Sequence, residues 1–143
     1  MLISAKLLTT KERKMINDKA GARFNLFKRI KSKLIQSPSF VVEQLSPKIG
    51  TLLGQHKLKV TASIELRTKG IVMTLKSNTD QCVWAVPYYQ FYLYDRQVIS
   101  IHAQGRFVNL TKDDKLAESM DFFKNLISKK IEYDIQHPHV DSI

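Results

Sequence analysis

The sequence predicts an α+β fold. It has N-terminal helices, an antiparallel meander sheet or partly open barrel of five to six strands, and a C-terminal amphipathic helix packed on that sheet. Three observations carry this reading. Leu58, Val60, Ala62, Ile64 and Leu66 alternate with Lys57, Lys59, Thr61, Ser63 and Glu65, a period of two that gives a strand one apolar and one wet face. The segments that follow are short, apolar and separated by turn residues, which favours an antiparallel meander over a parallel sheet. Leu116, Met120, Phe123, Ile127 and Ile131 then recur at helical spacing, which predicts one amphipathic helix over 113–132.

The elements follow in order. Residues 10–20 are polar and helix-compatible, with Thr10 as N-cap candidate and Gly21 as the stop. Phe24, Phe27, Ile30 and Leu34 then form one apolar stripe, which predicts a basic amphipathic helix over 22–36. Ser37-Pro38 ends it, because the residue before proline avoids the helical region. Phe40, Val41, Leu45, Ile49, Leu52 and Leu53 fit one or two short helices over 38–53, with Ser46-Pro47 opening a helix and Gly54 closing it. Strands are expected at 57–66, 71–75, 82–86, 88–94, 97–103 and 106–110. Turns are expected at Thr68-Lys69-Gly70, Ser77–Asp80 and Asp95-Arg96, and Pro87 interrupts the third strand. Thr111 and Asp114 stand at capping-box spacing before the last helix. Lys129 and Lys130 in its final turn complement the helix dipole.

A chain of 143 residues fits one domain. Hydrophobic content of 43% and charged content of 25% exclude wholesale disorder. Three segments are expected: a basic helical extension at 1–36, an α+β body at 37–134 and a C-terminal tail at 135–143. Cys82 is the single cysteine, so no intramolecular disulfide can form. Lys6 interrupts the apolar start, so no signal peptide is read, and no run reaches the roughly 18 apolar residues of a membrane span. These features lead to the expectation of a soluble cytoplasmic protein.

Charge is unevenly placed. Of the net +10, residues 1–33 hold ten Lys/Arg against two acids, and the rest of the chain is nearly neutral. Such asymmetry fits either a solvated face or an anionic partner. On the expected 22–36 helix, Arg23, Lys28, Arg29, Lys31 and Lys33 are the candidate contact residues.

The order of a strand, a turn, further strands and one closing helix resembles the pleckstrin-homology-like (GRAM-type) domains of bacteria. The resemblance spans about 57–132. It is carried by Glu65 to Val72 with Lys69-Gly70 at the turn, by the Val86-Pro87-Tyr88 joint and by Leu116 to Ile131 as terminal helix. That fold has seven strands where six are counted here. Beyond Arg67 and Lys69, the basic cluster of its phosphoinositide-binding members is missing. The resemblance therefore implies a docking scaffold and does not imply lipid recognition.

Tyr88, Tyr92 and Tyr94 should share one strand face with Gln90, while Tyr89, Phe91 and Leu93 face the core. Tyrosine combines a flat apolar body with a hydroxyl, which suits protein contacts or base stacking as well as plain sheet packing. Non-enzymatic binding or docking ranks first, with a protein partner or self-association. Nucleic-acid binding follows, with the basic helix on phosphates and tyrosines on bases. Association with an anionic membrane surface through the 22–36 stripe is third. Catalysis is last. His137, His139 and Asp141 stand in the expected tail, and Ser100 with His102 on a strand is no triad. Cys82 reads as a buried small hydrophobe. No phosphate-binding loop, dinucleotide fingerprint or zinc-ligand quartet is present, so no cofactor or metal is expected.

Overall fold

A computed structural model describes residues 1–4, 7–25, 34–54 and 59–137. Eight antiparallel strands form one sheet in the order β1-β5-β4-β3-β2-β8-β7-β6. They are β1 (Leu2–Ser4), β2 (Phe40–Leu45), β3 (Thr61–Leu66), β4 (Gly70–Lys76), β5 (Gln81–Pro87), β6 (Phe91–Asp95), β7 (Ile99–Ala103) and β8 (Arg106–Leu110). The described helices are α1 (Thr10–Ala20), α2 (Pro47–Leu52), α3 (Asp114–Glu118) and α4 (Met120–Gln136), and a 3-10 turn covers Tyr88–Gln90.

β3, β4 and β5 form a meander in which Ile64 opposes Met73 and Met73 opposes Trp84, so the apolar phase of each strand lands on one face. β6, β7 and β8 form a second meander. β2 joins them, because Phe40 and Val41 pair with β3 while Val42, Gln44 and Leu45 pair with β8 across a register shift at Val42/Gln44. Such an irregularity bends a strand and lets one sheet wrap a core. The inner faces of both halves close on a single cluster that includes Phe40, Trp84, Phe91 and Ile101, with Leu116, Phe122, Phe123 and Leu126 supplied by α3 and α4. The rings of Phe40 and Phe123 meet at 5.4 Å.

A second, smaller cluster lies on the opposite face of β4 and β5. There Val72, Val83 and Ala85 are covered by Ile16 and Ala20 of α1, with Met1, Ile3 and Leu8 beside them. Thr9 opens α1 with a full capping box to Glu12, and Gly21 closes it at φ +83°, a left-handed value that favours glycine. Gly70 is fixed for another reason. A Cβ there would stand 2.2 Å from the Val86 carbonyl oxygen, so only glycine permits the close pairing of β4 with the end of β5.

All six expected strands are present, and two more were not foreseen. Phe40–Leu45, expected as helix, is β2. Its helix-compatible spacing loses to long-range pairing, with Val42 N–H donating to the Val60 carbonyl and Thr111 N–H to the Val41 carbonyl. β1 is too short to show a period, and it lies along β5. The expected helix at 22–36 is not helical at its described ends. Arg23 bridges to Arg67 and Gln36 to Glu65, and Ile35 and Ser37 exchange backbone hydrogen bonds with Leu66 and Ile64. Phe27, Ile30 and the rest of residues 26–33 lie outside the described residues.

Three smaller expectations also change. The N-cap of α1 is Thr9 instead of Thr10. The last helix is capped by Asp113, whose side chain accepts from Leu116 N–H, and it breaks at Ser119. That break rotates α4, so Phe122 and Leu126 are buried while Ile127 and Ile131, expected on the core stripe, are exposed. α4 also continues to Gln136, into the stretch expected as tail. Among the described residues, no helix is long and apolar enough to cross a membrane.

Candidate binding face

α1 covers the outer face of β4 and β5. The outer face of β6, β7 and β8 carries a different set of side chains, and the register arranges them in rows. Tyr94 opposes Ser100, Ser100 opposes Asn109, and Asn109 opposes Gln44. One row along the chain, Tyr92 opposes His102 and His102 opposes Phe107. Neighbours across antiparallel strands lie about 4.5–5.5 Å apart, so each row is a line of contacts. The first row is mostly polar and the second is aromatic.

The rings interlock. His102 stacks on Phe107 at 5.5 Å and meets the edge of Tyr94 at 5.3 Å. Tyr92 is 60% exposed and Tyr94 45% exposed, the former with the Lys130 ammonium 5.6 Å from its ring. Between the rows and the β6–β7 turn lies a hollow of about 550 Å³ lined by Gln44, Tyr94, Arg96, Val98, Ser100, His102, Phe107 and Asn109. Asp95, next to the hollow, is ion-paired with Lys112.

Ser100 is the buried polar centre of this face. Its Oγ donates to Asn109 Oδ1 at 2.5 Å and lies 2.7 Å from His102 Nε2. A hydroxyl has one proton, so with that proton on Asn109 the imidazole Nε2–H donates to Ser100. In that arrangement His102 does not draw the proton from Ser100, and the described residues lining the hollow include no carboxylate to orient the ring. The network fixes side chains and leaves the amides of Gln44 and Asn109 and the Arg96 guanidinium as polar groups around the hollow.

The structure separates the residues singled out in the sequence. Tyr92 and Tyr94 stand together on this face. Tyr88 does not, because Tyr88–Gln90 turns before β6 begins and rotates it into the core. It is 1% exposed, its hydroxyl donates to the Arg67 carbonyl at 2.6 Å, and burial pushes its phenol pKa up. Tyr89, expected in the core, is exposed, whereas Phe91 is buried as expected. Arg23 pairs with Glu65 of β3 at 3.3 Å and is not among the described residues that line this hollow. Lys28, Arg29, Lys31 and Lys33 lie outside the described residues.

Cys82 is fully buried and free, with burial pushing its thiol pKa up to about 11, so it is protonated and inert at neutral pH. Among the described residues no cluster of three or more His, Cys, Asp and Glu could hold a metal. His139 and Asp141 are outside that set.

Sequence reasoning missed His102, Phe107, Asn109 and Gln44 as partners of the tyrosines. The signal was present for three of them: His102 and Asn109 are polar positions of strands whose other phase is apolar, and Phe107 is an aromatic in that same outward phase. Gln44 could not be found that way, because β2 was read as helix. No family model matches the chain, and neither a curated protein nor a solved structure matches it significantly.

Proposed function

We propose that this protein is a non-enzymatic binding module whose docking surface is the outer face of β6, β7 and β8, with an extended protein segment as its partner. The observation that carries this is the pairing of two exposed tyrosines with the His102–Phe107 stack beside a hollow of about 550 Å³ on that face. Rigid aromatic rings bury large area at small entropic cost, so they act as anchors in protein contacts. The Ser100–His102–Asn109 hydrogen bonds hold the site in shape before a partner arrives, which lowers the ordering cost of association. β6 ends the sheet order, so a peptide laid along it has a strand to extend.

The likeness to pleckstrin-homology-like scaffolds belongs to the same proposal. With β1 set aside, β2 to β8 are seven antiparallel strands followed by a terminal helix on the core. β2 supplies the strand that the sequence count lacked.

A second reading has a specific observation behind it. The same rings stand among amides and an arginine in a chain of net charge +10, a combination that suits an unpaired nucleobase with its phosphates.

One experiment separates the two. A displayed peptide library is panned on the full chain and on a Tyr92→Ala/Tyr94→Ala variant, and single-stranded oligonucleotides are titrated at low and physiological salt. The protein-segment reading expects peptides that bind the wild type at least tenfold tighter than the variant and depend weakly on salt. Oligonucleotide binding that depends on the tyrosines and falls steeply with salt would transfer the site to the second reading. Equal binding by wild type and variant in both arms would remove this face from consideration.

A further inference from the structure

We propose that a second site, independent of the tyrosine face, lies at the free side of α1 and binds a phosphate-bearing ligand through Arg13, Arg23 and Arg67. Two hollows of about 310 and 500 Å³ adjoin there, sharing Leu8, Ile16, Arg23, Arg67 and Gln81. Their floor is the outer face of β3, β4 and β5 at the end that α1 leaves uncovered.

The case rests on an imbalance of charge in a concave place. Among the described residues lining the two hollows, Arg13, Arg23, Arg67 and Lys76 are cations and Glu65 is the one carboxylate. Glu65 is shared, since Arg67 Nε reaches its Oε1 at 2.6 Å and Arg23 Nε its Oε2 at 3.3 Å. Arg67 Nη1 is turned to Asn17 Oδ1 and the Gly21 carbonyl, so this guanidinium is held rigidly at 6% exposure. Among the described residues, Arg13 makes no side-chain ion pair. Cations gathered in a cleft with low-dielectric walls focus a positive potential that isolated surface charges do not reach.

The chemistry selects phosphate. Guanidinium forks match tetrahedral oxyanions bidentately, and Arg13 and Arg23 are the exposed ones here, while Arg67, held by Glu65, Asn17 and Gly21, adds its charge from the wall. Ser63 and Thr74 in the adjoining hollow add hydroxyl donors. A ligand of two or more negative charges would balance the excess. An acidic peptide is disfavoured, because its spaced carboxylates do not converge on one pocket.

The same chemistry can come from a soluble phosphate compound or from a lipid headgroup, and the test has an arm for each. Inorganic pyrophosphate is titrated calorimetrically into the full chain at low salt, and sedimentation with vesicles containing phosphatidic acid is measured in parallel. Arg13→Gln and Arg23→Gln change exposed side chains and leave the buried Arg67 in place, and circular dichroism checks that both variants fold. The proposal expects saturable binding in at least one arm, with each substitution weakening it about tenfold and the Tyr92→Ala/Tyr94→Ala variant unchanged. Pyrophosphate binding alone assigns a soluble ligand, and vesicle binding alone assigns a headgroup. Absence of binding in both arms, or binding that both arginine variants retain in full, overturns the site.

Discussion

Replacing Arg67 by methionine is expected to lower the unfolding free energy by about 3–5 kcal/mol, the range for breaking a buried charge pair from one side. Methionine keeps the alkyl volume and removes the guanidinium. That group joins three elements, pairing with Glu65 on β3 at 2.6 Å, with Asn17 in the last turn of α1 and with the Gly21 carbonyl just past it. Its loss leaves Glu65, whose side chain is 12% exposed, with the solvent-facing Arg23 as its one ion-pair partner among the described residues. The double substitution Glu65→Gln/Arg67→Met is expected to recover much of the loss, because the uncompensated carboxylate is gone. Urea denaturation of the wild type and the two variants measures this. A loss below about 1 kcal/mol for Arg67→Met would mean that the pairing does not anchor α1 to the sheet.

The second large effect is in the core. Trp84→Ala is expected to cost about 3–5 kcal/mol, since it empties the largest fully buried side chain of the protein. Trp84 sits between Met73 on β4 and Leu2 on β1, so the cavity would open where three strands meet. Its indole N–H finds no acceptor among the described residues. Trp84→Phe removes that unmatched donor together with part of the volume, and its cost is expected to be less than half that of alanine. The order of thermal midpoints, wild type then phenylalanine then alanine, checks the claim. Equal losses for both variants would show that the indole N–H is satisfied.

The two substitutions touch what the sequence made legible and what it did not. Period-two alternation in 57–66 and the strands after it names the inner face correctly, because a side chain's face follows from its parity alone. Ile64 and Met73 fall on that face as their alternation predicts, and Trp84 joins them there. The role of Arg67 was hidden. It follows Leu66 in the outward phase, where a charge reads as solvated, and its partner Asn17 is fifty positions away. α1 was predicted as a helix, but its target was not. Val72, Val83 and Ala85 are apolar residues in the outward phase of β4 and β5, and this excess marked a face that another element covers.

The candidate site was half legible for the same reason. Tyr92 and Tyr94 are placed outward by parity, and the alternation holds over 91–94. Extending it back to Tyr88 failed because the Tyr88–Gln90 turn resets the phase after Pro87. Lys130 was read as a dipole-completing residue at a helix end. In the fold its ammonium donates to the Tyr88 carbonyl at 2.6 Å and flanks Phe91 and Tyr92, which docks α4 against the turn. A contact between residues 42 positions apart leaves no local pattern. β2 is the costliest miss. Its six residues carry apolar positions compatible with either period, and only pairing with β3 and β8 decides between them.

The central claim is that the outer face of β6 to β8 is open while α1 covers the outer face of β4 and β5 around Ala85. A soluble paramagnetic agent, added while methyl and aromatic NMR signals are recorded, tests this most directly. Strong broadening of the Tyr92 and Tyr94 ring signals is predicted, with sharp methyl signals from Ala20 and Ala85, which are buried between α1 and the sheet. Sharp tyrosine rings would contradict it, because something in the chain or a second copy would then already cover the face.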